Sequence, residues 1–275
     1  MNEINKKKSR TLVNLIGIPL LLTIIYLGNF YFTTLIFFAI FVCTKELSDI
    51  CEKINISIQT LWLYLFYILL YITHFIPKQD IGALLYIDLL SIAVLLICLS
   101  ELFRNTETPL RNISVTVFTL IWIGIFLNSL VLIREKGYEI TYLLFLSVWI
   151  CDTVAFWFGM KFGKSKILPA VSPKKTWVGS IAGLASSVIF MMILYRFNYF
   201  TYHVSHIDAI LLGFITGVFA QLGDFAESLL KREANIKDTS NFLRGHGGIL
   251  DRFDSLTFAA PVTLIYCNYF IIIGK

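Results

Sequence analysis

Charge is what this sequence has least of. Asp, Glu, Lys and Arg make up only 15% of its 275 residues, against 57% hydrophobic residues and a mean hydropathy of +0.76. A water-soluble domain carries charge on about a quarter of its residues, so that class is excluded. Disorder is excluded as well, because 24 Phe, 13 Tyr and 5 Trp would not remain solvated in a coil. Metal–thiolate and His-cage chemistry have little footing. The five Cys (Cys43, Cys51, Cys98, Cys151, Cys267) contain no CxxC pair, and His74, His203, His206 and His246 are scattered. No small-residue cleavage site follows the basic flank Lys6-Lys7-Lys8-Ser9-Arg10, so the first apolar run reads as a retained span rather than a signal peptide. Internal repeats of the transporter kind are not evident. What remains is an all-α polytopic membrane protein.

Stretches apolar enough to cross a bilayer, roughly 17–25 residues each, number about nine. They cover approximately 11–27, 30–44, 60–76, 82–100, 113–133, 140–160, 177–196, 208–223 and 255–273. One helix over 11–44 would be about 50 Å long at ~1.5 Å per residue, too long for a single crossing. Gly28-Asn29 supplies a turn there. With the N-terminus in the cytosol, 18 of the 23 Lys and Arg fall inside, leaving Lys78, Arg134, Lys136, Arg196 and Lys275 outside. That bias is the positive-inside pattern and puts the C-terminus outside. The chain divides into a bulky, aromatic part over 1–139, with about five spans, and a second part over 140–275. Eleven of the 16 Gly lie from Gly159 onward, and small residues recur every fourth position at Ala155-Gly159-Gly163, Gly179-Gly183-Ser187 and Gly213-Gly217. Such faces let helix backbones approach closely in lipid.

The unusual polar residues collect in two cytosolic motif loops, 161–176 and 224–254. Just before the first, Asp152 sits inside an apolar span, where a carboxylate is costly and marks function by default. Lys161, Lys164 and Lys166 read equally as functional cations and as what a positive-inside loop ordinarily holds. Ser172-Pro173-Lys174-Lys175-Thr176 is more specific, because it leads into a helix whose free N–H groups favour anions. In the second segment Asp224, Glu227, Ser228 and Lys231 are spaced i, i+3, i+4, i+7 and form one polar stripe on a helix. Lys237-Asp238, Arg244, His246-Gly247-Gly248, Asp251-Arg252 and Asp254 follow. Paired glycines let backbone N–H groups come close to phosphate oxygens. Clustered Asp attract a hard cation such as Mg²⁺, while Lys and Arg neutralise the oxygens the metal does not reach. Alternating acid and base is the pattern a metal-bridged polyphosphate requires.

These residues resemble the phosphatidate cytidylyltransferase family, the CDP-diacylglycerol synthases. Ser228, Leu230, Lys231, Arg232, Lys237, Asp238, Ser240, His246, Gly247, Gly248, Ile249, Asp251, Arg252, Phe253 and Asp254 match its C-terminal pattern in order. The upstream Asp152-Thr153, Gly163-Lys164, Ser172–Thr176, Gly223-Asp224 and Glu227 elements are similar too, so the resemblance covers about 150–255. Val178 departs from it where Glu is usual, and Arg244 where a small turn residue is usual. The resemblance implies transfer of CMP from CTP to phosphatidate, with Mg²⁺ as cofactor and room for a second cation. It implies metal ligation by Asp224, Asp251 and Asp152, with Asp254 assisting catalysis. Lys231, Arg232 and Arg252 would hold the reacting phosphates, and His246, Gly247 and Gly248 would shape the phosphate pocket. Substrate binding would fall to Ser172, Lys174, Lys175 and Thr176, with Ser228, Lys237 and Asp238. The expected partners are CTP, phosphatidate and the bilayer, with a homodimer admitted and no nucleic acid. The expected location is a bacterial inner membrane with the active site toward the cytosol. A CTP-dependent lipid kinase or ether-lipid cytidylyltransferase and an anion channel are the alternative classes. A CDP-alcohol phosphotransferase is disfavoured because the chain contains no Asp-Gly dipeptide.

Overall fold

A computed structural model describes residues 16–77, 83–200, 204–240 and 247–271. Among these residues there are nine helices, and the only β feature is an isolated bridge between Lys166 and Thr176. The helices are α1 (Ile16–Leu27), α2 (Asn29–Glu52), α3 (Thr60–Thr73), α4 (Ala83–Phe103) and α5 (Pro109–Lys136). They continue as α6 (Tyr138–Phe162), α7 (Trp177–Arg196), α8 (His206–Glu233) and α9 (Leu250–Tyr269). Each apolar stretch expected from the sequence overlaps one of them. Six helices, α2 and α4 to α8, are long and apolar enough to cross a membrane.

The helix ends follow from local chemistry. Gly28 (φ +60°) and Asn29 (φ +40°) separate α1 from α2 at the expected turn. Asn55, Asn105, Asn198 and Asn235 take the left-handed conformation just past α2, α4, α7 and α8, a position where Asn substitutes for Gly. Two helices run well past their predicted spans. α2 continues to Glu52 because Leu47, Ile50 and Cys51 keep a buried face beyond Thr44. α8 continues to Glu233 and carries the polar stripe with it. Conversely, α3 stops at Thr73, four residues before Pro77, and His74 turns inward to Glu135 and Asn128 of α5.

Packing differs between the two parts of the chain. In the first, bulky side chains such as Phe32, Tyr67 and Trp122 are fully buried around α2 and α5. In the second, backbones touch. A methyl group at Gly183 would lie 2.8 Å from the Cys151 carbonyl oxygen, and one at Gly213 only 2.5 Å from the Val188 Cα. The small-residue faces therefore hold α6 against α7 and α7 against α8, as their spacing suggests. α9 packs along α8 and also against α5 and α2, which ties the two parts together. At one end of the bundle lie the ends of α2, α6 and α8 with the starts of α7 and α9. The other end holds the ends of α5 and α9, and the starts of α6 and α8.

Candidate active site

The 163–176 loop is closed at its neck by backbone bonds. Ile167 N donates to the Lys175 carbonyl at 3.3 Å, and Trp177 N to the Ser165 carbonyl at 3.1 Å. Thr176 then caps α7, its Oγ1 accepting from Gly179 N at 3.3 Å, while it packs against Gly159 and Gly163. This geometry presents Lys166, Lys174 and Lys175 to a cavity of about 700 Å³. Asp152 of α6, Asp224 of α8, and Asp251 and Asp254 of α9 line the same cavity. Four carboxylates from three helices thus meet three lysines from one loop.

Gly223 sets the separation of α8 and α9. An added methyl group would run into the Asp254 carbonyl oxygen, so any other residue would push the helices apart. That close approach brings Asp224, Glu227 and Asp254 together, with one oxygen of each within 4.8 Å of the others. Glu227 is only 1% exposed and its Oε1 has no hydrogen-bond partner; its other oxygen is ion-paired to Lys231. Asp224 is paired to Lys175 at 2.5 Å, and that ammonium also lies over the Phe225 ring. Three carboxylates this close, with one oxygen orphaned, fit a hard divalent cation, which lowers their mutual repulsion and accepts oxygen ligands. Asp152 lies alongside, near Ser255, whose Oγ is 3.5 Å from it.

Asp251 is placed differently. Its Oδ1 accepts from Lys231 Nζ at 2.6 Å, and its Oδ2 from Gly248 N at 2.7 Å and Thr239 N at 3.0 Å, with Thr239 Oγ1 also at 3.0 Å. Both oxygens are engaged in holding the chain that leads into α9. The glycine pair has a steric reason here. Gly247 takes φ +79°, and a methyl there would strike Asp251 Oδ2. At Gly248 a methyl would collide with Thr239 Oγ1 and with both Glu46 carboxylate oxygens.

The other expected site residues separate into groups. Lys174, Lys175 and Thr176 line the cavity; Ser172 does not, and acts through its carbonyl, which accepts from Lys175 N at 3.3 Å. Ser228 donates to Asp224 at 3.3 Å, orienting that carboxylate. Lys231 is buried between Glu227 and Asp251. Arg232 binds the carbonyls of Val171 at 3.0 Å and Ile236 at 2.8 Å, joining the two motif loops outside the cavity. Lys237, Asp238 and Arg252 are exposed. His246 and Arg244 lie outside the described residues. Two residues outside the expected metal, catalytic and substrate-binding sets gain importance. Glu227 belongs to the acidic triad, and its place in the stripe is the signal that marks it. Glu46, 3% exposed on α2, contacts the start of α9. The only sequence signal for Glu46 is a carboxylate two residues past an apolar run.

Comparison with known proteins agrees with this chemistry. The chain matches the Cytidylyltransferase family over residues 8–270. It is 31% identical over 261 residues to a phosphatidate cytidylyltransferase of Staphylococcus haemolyticus, covering 93% of this chain and 96% of that protein. A phosphatidate cytidylyltransferase of Staphylococcus saprophyticus is 30% identical over 262 residues, with the same coverage. One from Staphylococcus aureus (strain COL) is 44% identical over 131 residues, 47% of this chain and 49% of that protein. A match spanning nearly every helix that builds the acid-and-lysine cavity leaves one assignment: the chain belongs to the cytidylyltransferase family and is a nucleotidyltransferase.

Proposed function

We propose that the protein transfers CMP from CTP to phosphatidate, giving CDP-diacylglycerol and pyrophosphate, with Mg²⁺ as cofactor. The observation that carries this reading is the cavity in which helix carboxylates face loop lysines. The phosphate of phosphatidate is already an anionic nucleophile, so the protein needs little general base. Its task is to bring two anions together. One phosphatidate oxygen bonds to the α-phosphorus of CTP, the bond from that phosphorus to the β-phosphate bridging oxygen breaks, and pyrophosphate leaves as a stable anion. Lys166, Lys174 and Lys175 neutralise the polyphosphate oxygens, and the free N–H groups at the start of α7 add to that field. A divalent cation held by Asp224, Glu227 and Asp254 would supply Lewis-acid stabilisation of the charge that builds at the α-phosphate. Ser228 and Lys231 orient those carboxylates. Phe156 and Met160 line the cavity yet are exposed on the outer face of the bundle, which suits a lipid whose tails stay in the bilayer.

The membrane arrangement belongs to the same proposal. Nine crossings with a cytosolic N-terminus and an external C-terminus put 18 of 23 Lys and Arg inside, in a bacterial inner membrane. The cavity then opens to the cytosol, where CTP is found. Asp88, the one acid in the middle of an apolar stretch of the first part, is exposed on the outside of α4 rather than aimed into a pathway.

The test uses purified protein in detergent with CTP, phosphatidate and Mg²⁺, following pyrophosphate and CDP-lipid together. Equal amounts of both products are expected. Release of CDP with a lipid alcohol as acceptor, and no pyrophosphate, would replace this reading with that of a kinase.

A further inference from the structure

The chain that carries Asp251 is anchored from an unexpected direction. Glu46 comes from α2, some two hundred residues earlier, and is 3% exposed. Its Oε1 accepts from Ser240 Oγ at 2.5 Å and Ile249 N at 3.0 Å, and its Oε2 from Leu250 N at 2.8 Å and Thr239 Oγ1 at 3.0 Å. All four donors belong to residues 239–240 and 249–250 of the second motif loop. Two of them are free N–H groups at the start of α9, which intrahelical bonds cannot satisfy. The carboxylate also complements the positive end of that helix. Thr239 Oγ1 stands 3.0 Å from both Glu46 Oε2 and Asp251 Oδ2, so its one proton is shared between the two carboxylates. Gly248 packs its bare Cα against Glu46, which couples the glycine pair to α2.

We propose that Glu46 is a positioning residue: it clamps both edges of the second motif loop and thereby sets Asp251, Lys231 and the first turn of α9 for the reaction. The clamp acts through Thr239 and the Ile249 and Leu250 amides and touches no substrate. It gives the first part of the chain a task in the chemistry besides packing. For its catalytic consequence the proposal rests on the CMP-transfer reading, but the clamp itself can be measured without turnover.

The experiment compares the full-length wild type with Glu46→Gln, Glu46→Asp and Glu101→Gln in detergent. Glu101 is a buried acid bound by Gln59, Arg104, Thr106 and Asn112, none of which lines the cavity, and so reports the cost of disturbing any buried carboxylate. In Glu46→Gln the amide keeps one acceptor oxygen and turns an N–H toward two donors. Loss of a partner that orients site residues costs about 10–100-fold in activity. Expected for Glu46→Gln is a kcat fall of that size, with KM for CTP and phosphatidate within about threefold. Glu46→Asp, which keeps the charge, should recover part of the loss. Glu101→Gln should lower the melting temperature and leave kcat per folded molecule unchanged. Hydrogen exchange adds a readout free of catalysis, with the amides of Ile249 and Leu250 expected to exchange at least tenfold faster in Glu46→Gln. Wild-type kcat in Glu46→Gln, or a loss that Glu101→Gln reproduces per folded molecule, overturns the positioning role. Unchanged exchange at Ile249 and Leu250 overturns the clamp. A wild type that makes no CDP-diacylglycerol sinks the CMP-transfer reading instead, and the exchange result still decides the clamp.

Discussion

Neutralising Asp254 should make the protein more stable in the absence of divalent cations and nearly inactive in their presence. The argument is electrostatic. Oxygens of Asp224, Glu227 and Asp254 lie within 4.8 Å of one another. If all three were ionised, two unit charges at that distance would repel by about 3.5 kcal/mol at an effective dielectric constant of ~20, an upper bound because crowded carboxylates relieve repulsion by taking up protons. Asp254→Asn removes two such pairs. Part of the repulsion is already offset, because Lys175 pairs with Asp224 and Lys231 is shared between Glu227 and Asp251. A net gain of about 1–2 kcal/mol is therefore the reasonable expectation, which at this chain length corresponds to a rise of about 2–8 °C in melting temperature. The change is close to isosteric, and the remaining side-chain oxygen can still accept from Ser255 N, a 2.7 Å bond in the wild type. The assay is a thermal unfolding scan in detergent with EDTA, repeated over a Mg²⁺ series. Wild type should gain stability with Mg²⁺, since a ligand that binds only the folded state stabilises it by mass action. Asp254→Asn should start higher, respond little, and lose CMP transfer by at least about 100-fold, the scale of removing one electrostatic element from such a site. A variant that melts lower than wild type in EDTA and keeps the full Mg²⁺ response would refute the assignment of these three carboxylates to a cation.

Two further outcomes follow from the geometry. Gly223→Ala should destabilise the protein by about 1–3 kcal/mol, the usual cost of overpacking. The atoms its methyl would meet first are all α9 backbone, among them the Asp254 carbonyl carbon at 3.3 Å and the Ser255 Cα at 3.4 Å. CMP transfer should fall more than tenfold as the triad separates, whereas Gly17→Ala, whose methyl meets nothing within 4 Å, should leave transfer unchanged and cost no stability, since Ala is the better helix former. Lys175→Ala should lower kcat/KM for CTP by about 10–100-fold, the value of one or two charge-assisted hydrogen bonds. Wild-type kinetics in that variant would move the polyphosphate away from the 163–176 loop.

Much of this protein can be read from the order of its residues. Apolar run length located the nine helices among the described residues, six of them long and apolar enough to cross a membrane, because a spanning helix must satisfy its own backbone and shows itself as an apolar stretch. The i, i+3, i+4, i+7 spacing put Asp224, Glu227, Ser228 and Lys231 on one face, and the structure keeps them there. Ser172-Pro173-Lys174-Lys175-Thr176 was recognisable as a cationic approach to a helix start, and Thr176 is the cap of α7. The small residues every fourth position announced backbone contact, which Gly183 and Gly213 make.

Periodicity, however, names a face without naming its partner. Nothing local says that Glu227 meets Asp254, since that meeting depends on Gly223 letting α8 approach α9. Likewise, spacing cannot separate Asp251, whose oxygens are taken up by Lys231, Gly248 and Thr239, from Asp254 three residues later in the same helix. Glu46 was the least visible of all, because its four partners lie about two hundred residues away and the sequence around it reads as an ordinary helix end. Sequence alone thus determined the helices, their polar faces and the kind of chemistry, all of which rest on interactions spanning a few residues. Only the tertiary structure decided which carboxylates share a site and which hold a loop, because that choice is made by contacts between helices far apart in the chain.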